Sequence, residues 1–498
     1  GASSGMAMAH WEIQGWMILI LGWVFVPFYT RSMVYTMPEF LERRYNPQSR
    51  TILSVISLVS YVLTKVAVTV YAGGLVFQQV FGIKELWGID FFWIAAIGLV
   101  VLTALYTIFG GMKSVLYTSV LQTPILLLGS LIILILGFKE LGGWDEMMRV
   151  CGAVTVNDYG DTMTNLIRSN DDANFPWLGA LIGSAIIGFW YWCTDQFIVQ
   201  RVLSGKNEME ARRGTIFGAY LKLLPVFLFL IPGMIAFALH QKYIGAGGEG
   251  FLPMLENGTA NADAAFPTLV AKLLPAGVKG LVVCGILAAL MSSLASLFNS
   301  SAMLFTIDFY KRFRPQTSEK KLVGIGQVAT VVIVILGILW IPIMRSVGDV
   351  LYTYLQDVQS VLAPGIAAAF LLGICWKRTS AQGGMWGLIS GMVIGLTRLG
   401  AKVYYSNAGE VADSTFKYLF YDMNWLFFCG WMFLFCIIVV IVVSLATEAP
   451  TAEKIQGLVF GTATKEQKAS TRASWNHWDI IHTVIILAIT GAFYWYFW

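Results

Sequence analysis

The sequence predicts an all-α protein that crosses a membrane many times, and three observations lead to this class. Apolar residues make up 57% of the 498 residues and charged residues only 12%, whereas soluble domains contain about 45–50% and about 25%. The mean hydropathy is +0.69. The apolar residues are grouped into stretches of the length, about 20 residues, that a helix needs to cross the hydrocarbon core. With so few charges, most of the apolar surface must face lipid.

Twelve such apolar stretches follow one another along the chain, separated by short polar linkers. They lie at 13–30, 51–80, 91–110, 118–138, 177–199, 214–239, 276–306, 323–345, 350–375, 384–400, 424–446 and 478–497. Several exceed 25 residues, which indicates tilt, kinks or helical extensions beyond the bilayer. Because no linker is long enough for a soluble domain, residues 1–498 are interpreted as one transmembrane domain.

The distribution of Lys and Arg predicts which loops face the cytoplasm. One alternating set of loops carries twenty of these residues, and the opposite set carries eleven spread over longer loops. The first set is therefore expected in the cytoplasm, which places Gly1 and Trp498 outside. We expect a multi-pass protein of the plasma membrane, or of the cell inner membrane in a bacterium.

Composition argues against several other classes of function. The net charge is +4, and no basic run is long enough to follow a nucleic-acid backbone. The six cysteines include no CxxC pair, and the four histidines are not spaced to share a metal ion. We find no paired carboxylates and no Ser-His arrangement at membrane depth, so we expect no enzyme. Nothing in the sequence indicates an obligate protein partner.

Charged and polar side chains inside predicted spans are candidates for function, because each buried charge costs at least about 2.5–3.5 kcal/mol on insertion. Lys222, in GAYLKLLPVFLFLIPG, is the clearest case, although it could instead extend to the cytoplasmic surface. Lys65 raises the same question, and there a structural role is favoured. Glu12 opens the first complete span. Gln356 lies in a span whose central Pro-Gly pair should free backbone carbonyls beside a cavity.

An aromatic segment offers a second kind of candidate. The sequence GFWYWCTDQ places Trp190, Tyr191 and Trp192 side by side. These residues fit an aromatic belt at the membrane interface. Alternatively, they fit a platform for the apolar face of a sugar ring, whose hydroxyls would need hydrogen-bonding side chains around it.

A stripe of small polar residues offers a third kind. The segment ALMSSLASLFNSS places five of them at offsets that share one helical face, namely Ser292, Ser293, Ser296, Asn299 and Ser300. Such a stripe is typical of close helix packing, and its hydroxyl and carbonyl oxygens also suit a sodium ion. Taken together, these features predict a transporter cavity better than a channel or an enzyme.

At these residues the sequence resembles the sodium/solute symporter family, specifically the sodium/glucose cotransporters. The resemblance covers nearly the whole chain and is most specific in WYWCTDQ-x-IVQR and MSSLAS-x-FNS. It implies a leucine-transporter-type core of two inverted five-helix repeats, with additional C-terminal helices and a substrate site near the midplane. The family pattern begins with an outer helix and most of a first core helix that are expected to be missing before Gly1.

The resemblance also implies roles for individual residues. Those that match contacts to the sugar are Glu12, Tyr191, Trp192, Lys222 and Gln356. Tyr191 would stack on the pyranose and close its inner side. Those that match gates are Trp11, Tyr191 and Tyr352. Those that match sodium ligands are Ala289, through its carbonyl, Ser292 and Ser293.

The predicted function is therefore Na⁺-coupled import of a monosaccharide, of the glucose or galactose type, by alternating access. Ser119 and Ala289 stand where family members that carry two Na⁺ have Asp and Ser, so one Na⁺ per sugar is expected. Transport of inositol or another small polar solute stays an alternative, as does a sugar sensor without net uptake. The expected ligands are sodium, a small sugar and the lipid bilayer.

Overall fold

The computed structural model describes residues 1–498 except 35, 256–257, 348–349 and 409–411, and for 106, 108–116, 118, 121 and 344–347 it describes the backbone alone. The predicted all-α class is confirmed. In the part of the chain described, ten helices are long and apolar enough to cross a membrane.

The long helices of the described residues are labelled α1 to α11 in chain order. Their bounds are α1 Gly5–Ser32, α2 Pro47–Phe81, α3 Phe91–Leu141, α4 Trp177–Thr194, α5 Glu208–Gly245, α6 Ala276–Phe313, α7 Glu319–Val347, α8 Leu351–Cys375, α9 Ala381–Asn407, α10 Trp425–Ala446 and α11 His477–Tyr496. Shorter helices occupy the connections at Met37–Arg44, Trp144–Gly152, Gln196–Leu203, Ala262–Ala264, Ala265–Leu273, Thr415–Lys417, Tyr418–Asp422, Ala452–Ile455 and Lys465–Ala473. One antiparallel hairpin joins β1, Glu85–Leu86, to β2, Ile89–Asp90.

Two of the twelve predicted spans are not separate helices. The stretches 91–110 and 118–138 form the single helix α3, which has 51 residues. At about 1.5 Å per residue this helix is about 76 Å long, more than twice the thickness of the hydrocarbon core, about 30 Å. The junction between the two stretches has Gly110 and Gly111 but no proline, and glycine alone weakens a helix without ending it.

The polar linkers position the helices by capping them. The side chain of Asn46 accepts a hydrogen bond from the backbone N–H of Ser49, the third residue of α2, at 2.8 Å. Asn207 accepts one from the N–H of Glu210, the third residue of α5, at 2.9 Å. Ser380 caps α9 in the same way at 3.0 Å. Asn476 and Asp479 form a reciprocal capping box at the start of α11. These contacts satisfy N–H groups that have no partner within the helix.

Several long helices depart from regular α-helical geometry where they approach the centre of the bundle. In α1, the helical segment Ala9–Glu12 ends at a turn before Gly15–Ile20 begins. A π-helical turn occupies Tyr61–Val66 of α2, and another occupies Phe189–Thr194 of α4. Such turns occur frequently at functional sites, because they present side chains that a regular helix would place elsewhere.

The Pro-Gly pair in α8 does not interrupt the helix, so the expected break is wrong. Leu351–Cys375 is continuous through Pro364. A Cβ atom at Gly365 would lie 2.9 Å from the Cα atom of Gly391 in α9. The glycine therefore permits close contact between two helix backbones, whereas Pro364, which has no N–H, leaves the carbonyl of Ser360 without its usual partner in the helix.

The buried share of each long helix shows which helices lie at the centre of the molecule. In α8, 83% of the most apolar window is buried, and in α1 and α5 the share is 72%. The corresponding share is 33% in α10 and 22% in α11. Helices α1, α5 and α8 are therefore central, whereas α10 and α11 lie at the periphery.

Candidate functional site

Three central helices meet at the carboxylate of Glu12. This residue ends the first helical segment of α1. Lys222 of α5 donates from Nζ to its Oε2 at 2.8 Å, and the Tyr352 hydroxyl of α8 donates to its Oε1 at 2.6 Å. Two predicted sugar contacts, Glu12 and Lys222, thus form one hydrogen-bonded group with a predicted gate residue, Tyr352.

Lys222 points into the helix bundle and not toward the cytoplasmic surface. Its side chain is 16% exposed, and that of Glu12 is 18% exposed. The Lys222 ammonium also lies 5.7 Å from the ring centroid of Trp192. A carboxylate and an aromatic face thus both contact this lysine inside the bundle.

Gln356 lies one helical turn after Tyr352 on α8 and is buried, with 7% of its surface exposed. The side chain of Gln356 is within hydrogen-bonding reach of the Tyr352 hydroxyl. Among the described residues, its Oε1 atom has no hydrogen-bond partner. Because an unpaired buried acceptor costs about 1–3 kcal/mol, this oxygen is suited to a hydroxyl from a ligand.

The aromatic segment lies in the π-helical turn of α4, inside the molecule. Trp190 is buried, and Tyr191 and Trp192 are half-buried. The rings of Tyr191 and Trp192 are 5.1 Å apart and meet edge to face, at 82°. The contact between Trp192 and Lys222 places this segment next to the charged group, so an interfacial belt does not describe it.

An ion pair that the sequence analysis did not identify lies beside Tyr191. Lys65 of α2 pairs through Nζ with Asp195, the residue that follows α4, and both side chains are buried. The Tyr61 hydroxyl donates to the other Asp195 oxygen at 2.8 Å. The Lys65 ammonium is 4.9 Å from the ring centroid of Tyr191. The sequence feature that indicates this pair is the aspartate in WYWCTDQ, because it offers a partner for a lysine at membrane depth.

The two other predicted gate residues have different surroundings. Trp11 is buried and stacks on Trp425 of α10, with centroids 5.5 Å apart and planes at 26°. It also contacts Phe175 edge to face at 5.7 Å. Tyr352, in contrast, is bonded to Glu12. Trp11 is therefore held by the outer layer of helices, and Tyr352 by the central charged group.

A cavity of about 180 Å³ borders this group. Its lining includes Glu12, Phe229, Asp263, Val350 and Tyr352. Asp263, in the connection between α5 and α6, accepts hydrogen bonds from the Leu351 N–H at 3.1 and 3.2 Å. Burial raises the pKa of the Asp263 carboxyl to about 6, although the Leu351 N–H favours the charged form. Small-molecule sites usually measure about 300–1,000 Å³, so this conformation leaves little room beside Glu12.

The predicted sodium residues lie on one stretch of α6. Ser292 is buried, and its Oγ is 2.6 Å from the Oγ of Ser119 in α3. Ala289 and Ser293 are half-buried. Neutral hydroxyl and carbonyl oxygens are ligands of the kind that hard cations accept, so these residues fit part of a sodium site.

The rest of the serine stripe contributes to packing. The hydroxyls of Ser296 and Ser300 donate to the backbone oxygens of Ser292 and Ser296, at 3.0 and 2.8 Å. Arg201 donates to the Ser296 hydroxyl, and Gln200 donates to the Ser300 hydroxyl at 2.5 Å. The packing interpretation therefore applies to this half of the stripe.

Comparison with known proteins places the chain among sodium-coupled transporters. The family model described as sodium:solute symporter family matches residues 1–391. The human sodium/myo-inositol cotransporter 2 is 36% identical, over 93% of this chain and 69% of its own length. The sodium/mannose cotransporter of Bos taurus is 36% identical, over 97% and 83%. The sodium/glucose cotransporter 4 of Mus musculus is also 36% identical, over 93% and 68%.

A solved structure shows the same fold. A Na⁺-coupled sialic acid symporter in a substrate-bound, outward-open state has a TM-score of 0.66 and 20% identity, and the match covers 90% of this chain and 85% of that one. The predicted leucine-transporter-type core with additional C-terminal helices is thereby confirmed. The curated relatives are cotransporters and not enzymes. The chain belongs to the sodium:solute symporter family and is a sodium-coupled membrane symporter.

Proposed function

We propose that this symporter imports a monosaccharide of the glucose or galactose type by alternating access. The observation that carries the proposal is the group formed by Glu12, Lys222 and Gln356, joined through Tyr352, next to Trp192 and its neighbour Tyr191. A pyranose has an apolar face for an aromatic ring and a rim of hydroxyls for polar side chains.

Each residue has a role that its chemistry permits. The Glu12 carboxylate accepts hydrogen bonds from sugar hydroxyls, the Lys222 ammonium donates to them, and the Gln356 amide can do both. Tyr191 stacks on the sugar ring. The Tyr352 hydroxyl, now bonded to Glu12, would be displaced when a sugar hydroxyl takes its place.

Sodium would be held on α6 by Ser292, Ser293 and the carbonyl of Ala289. Binding of Na⁺ that favours the outward-open state raises the affinity for sugar, and sugar raises the affinity for Na⁺ by the same factor. The membrane potential adds about 2.3 kcal/mol per charge per 100 mV. One Na⁺ per sugar, with its own gradient, therefore suffices to move sugar uphill.

We also propose that the protein lies in the plasma membrane with Gly1 and Trp498 outside. The support is the unequal distribution of Lys and Arg between the two sets of loops. Modification of a single cysteine introduced at Trp498 by a membrane-impermeant thiol reagent, in intact cells, would test this orientation. Protection of that cysteine until the cells are opened would contradict it.

Uptake of labelled glucose into proteoliposomes tests the proposed activity. We expect accumulation above the external concentration with an inward Na⁺ gradient, and none when Na⁺ is equal on both sides or replaced by K⁺. Sugar-induced current without accumulation of glucose would support a sensor instead. Uptake that does not depend on Na⁺ would contradict the proposal.

A second substrate is favoured by the relatives, which include a sodium/myo-inositol cotransporter and a sodium/mannose cotransporter. Competition by unlabelled glucose, galactose, mannose and myo-inositol at equal concentrations would rank them. We expect glucose or galactose to compete most strongly. Stronger competition by myo-inositol would indicate that the substrate is a cyclic polyol.

Substitution of Tyr191 separates stacking from hydrogen bonding. Tyr191→Phe keeps the ring and should keep most of the sugar affinity, whereas Tyr191→Ala should lose it, because an aromatic contact contributes about 0.5–1.5 kcal/mol beyond area burial. The measurement is the KM for sodium-dependent sugar uptake. Equal KM values for the Phe and Ala variants would show that the ring does not stack on the sugar.

The stoichiometry follows from the residues that replace the second sodium site. Ser119 offers a neutral hydroxyl in place of a carboxylate, and Ala289 offers no side-chain oxygen, so a second buried cation would lack compensation. We expect the reversal potential of sugar-induced current to follow one Na⁺ per sugar. Ser293→Ala should weaken the Na⁺ dependence. A slope for two Na⁺ per sugar, or unchanged Na⁺ dependence in Ser293→Ala, would contradict the assignment.

A further inference from the structure

A long apolar groove runs along the outside of the helix bundle, away from the proposed sugar site. It has a volume of about 660 Å³ and lies between α7, α2 and the end of α6. The α7 wall is formed by Lys321, Ile325, Val328, Val332 and Leu336. These positions recur every three or four residues, so they form one face of the helix.

The dimensions of the groove suit an acyl chain. Lys321 and Leu336 are fifteen positions apart on α7, which corresponds to about 22 Å at 1.5 Å per residue. One leaflet of the hydrocarbon core is about 15 Å thick, half of the whole. The side chains of Val328 and Leu336 are 64% and 47% exposed, so this face is in contact with lipid.

The charge of the groove is confined to one end. Among the described residues that line it, Lys321 carries the only charge. Lys321 lies in the first turn of α7, next to the connection from α6. A lysine next to the membrane surface attracts anionic headgroups by about 1 kcal/mol.

We propose that this groove binds one anionic phospholipid from the surrounding bilayer, with its headgroup at Lys321 and an acyl chain along α7. Charge at one end and an apolar wall elsewhere match that lipid and no water-soluble ligand. A zwitterionic phospholipid would fill the same wall without the attraction at Lys321.

The groove is separated from the transport site by a single helix. Val62 and Leu63 line the groove from the π-helical turn of α2. Tyr61 and Lys65 of the same turn contact Asp195 on its other side. A bound acyl chain would therefore support the segment that holds this ion pair beside Tyr191.

Helix α7 approaches α2 closely just beyond the end of the groove. A Cβ atom at Gly337 would lie 2.5 Å from Cγ1 of Val66, the last residue of the π-helical turn. Helix α7 thus packs directly against this turn. We expect a lipid bound in the groove to stabilise that contact.

Native mass spectrometry of the purified protein in mixed micelles of phosphatidylglycerol and phosphatidylcholine tests the proposal. We expect one phosphatidylglycerol to be retained in preference to phosphatidylcholine. Lys321→Gln should reduce that preference about fivefold, the equivalent of about 1 kcal/mol for one lysine. Lys320→Gln, on the adjacent position outside the groove lining, is the matched control and should bind like the wild type.

A second pair of variants tests the acyl-chain wall. Val328→Trp fills the groove and should lower retention of both lipids. Val331→Trp, at a lipid-exposed position outside the groove lining, should not. Equal retention of the two lipids by the wild type, equal effects of Lys321→Gln and Lys320→Gln, or displacement of the lipid by free oleate at equal concentration would overturn the proposal.

Discussion

Replacement of Lys222 by Met is expected to destabilise the protein by about 3–5 kcal/mol and to abolish sodium-dependent sugar uptake. The substitution leaves the Glu12 carboxylate with the Tyr352 hydroxyl but without a positive charge. Removal of one partner from a buried ion pair is costly, because the remaining charge has neither water nor a counter-ion. The proposed site also loses a hydrogen-bond donor to the sugar.

A double-mutant cycle distinguishes the structural effect from the functional one. Thermal unfolding in detergent should show that Glu12→Gln/Lys222→Met is more stable than Lys222→Met alone, because no unpaired charge remains. Uptake should stay absent in both variants. Lys206→Met, at an exposed position just before the same helix, is the control and should change neither property. Wild-type uptake in the double variant would exclude a role for this pair in sugar binding.

Asp195→Asn is expected to have an effect of similar size on stability. Lys65 and Asp195 are almost fully buried, with 7% and 2% of their side chains exposed. The substitution leaves the ammonium without a counter-ion, which costs about 3–5 kcal/mol for a buried pair. Because this ammonium lies against the ring of Tyr191, we also expect slower sugar uptake.

The control for this prediction is the same substitution at an exposed pair. Asp413 pairs with Lys417 at 2.8 Å, but its side chain is 94% exposed, and exposed pairs contribute little. Asp413→Asn should therefore leave the unfolding temperature unchanged. The double variant Lys65→Met/Asp195→Asn should recover much of the stability lost in Asp195→Asn. Equal unfolding temperatures for Asp195→Asn and Asp413→Asn would show that the buried ion pair does not stabilise the fold.

Apolar stretches predict helices well because every backbone group in lipid must be satisfied within the segment. Composition therefore establishes the all-α class, and the bounds of α8 and α10 lie within a few residues of prediction. Helix ends are predicted less well. The stretches 91–110 and 118–138 look separate because polar residues lie between them, yet no proline ends the first.

The site is predicted as a set of residues but not as a set of contacts. Lys222 and Gln356 stand out because polar side chains are costly at membrane depth. The pairing of Lys222 with Glu12 joins residues 210 positions apart, and that of Lys65 with Asp195 joins residues 130 apart. Local sequence patterns carry no information on such distant pairs, so the sequence predicts neither the Glu12–Lys222 pair nor the partner of Lys65.

The central claim, that Glu12 and Gln356 bind the hydroxyls of a sugar, is tested most directly by titration of purified protein with glucose in Na⁺ and in K⁺. We expect Na⁺-dependent binding by the wild type. Gln356→Ala and Glu12→Ala should each weaken it about 5–150-fold, because each removes a partner worth about 1–3 kcal/mol. Wild-type affinity in both variants, or equal glucose affinity in Na⁺ and K⁺, would contradict the claim.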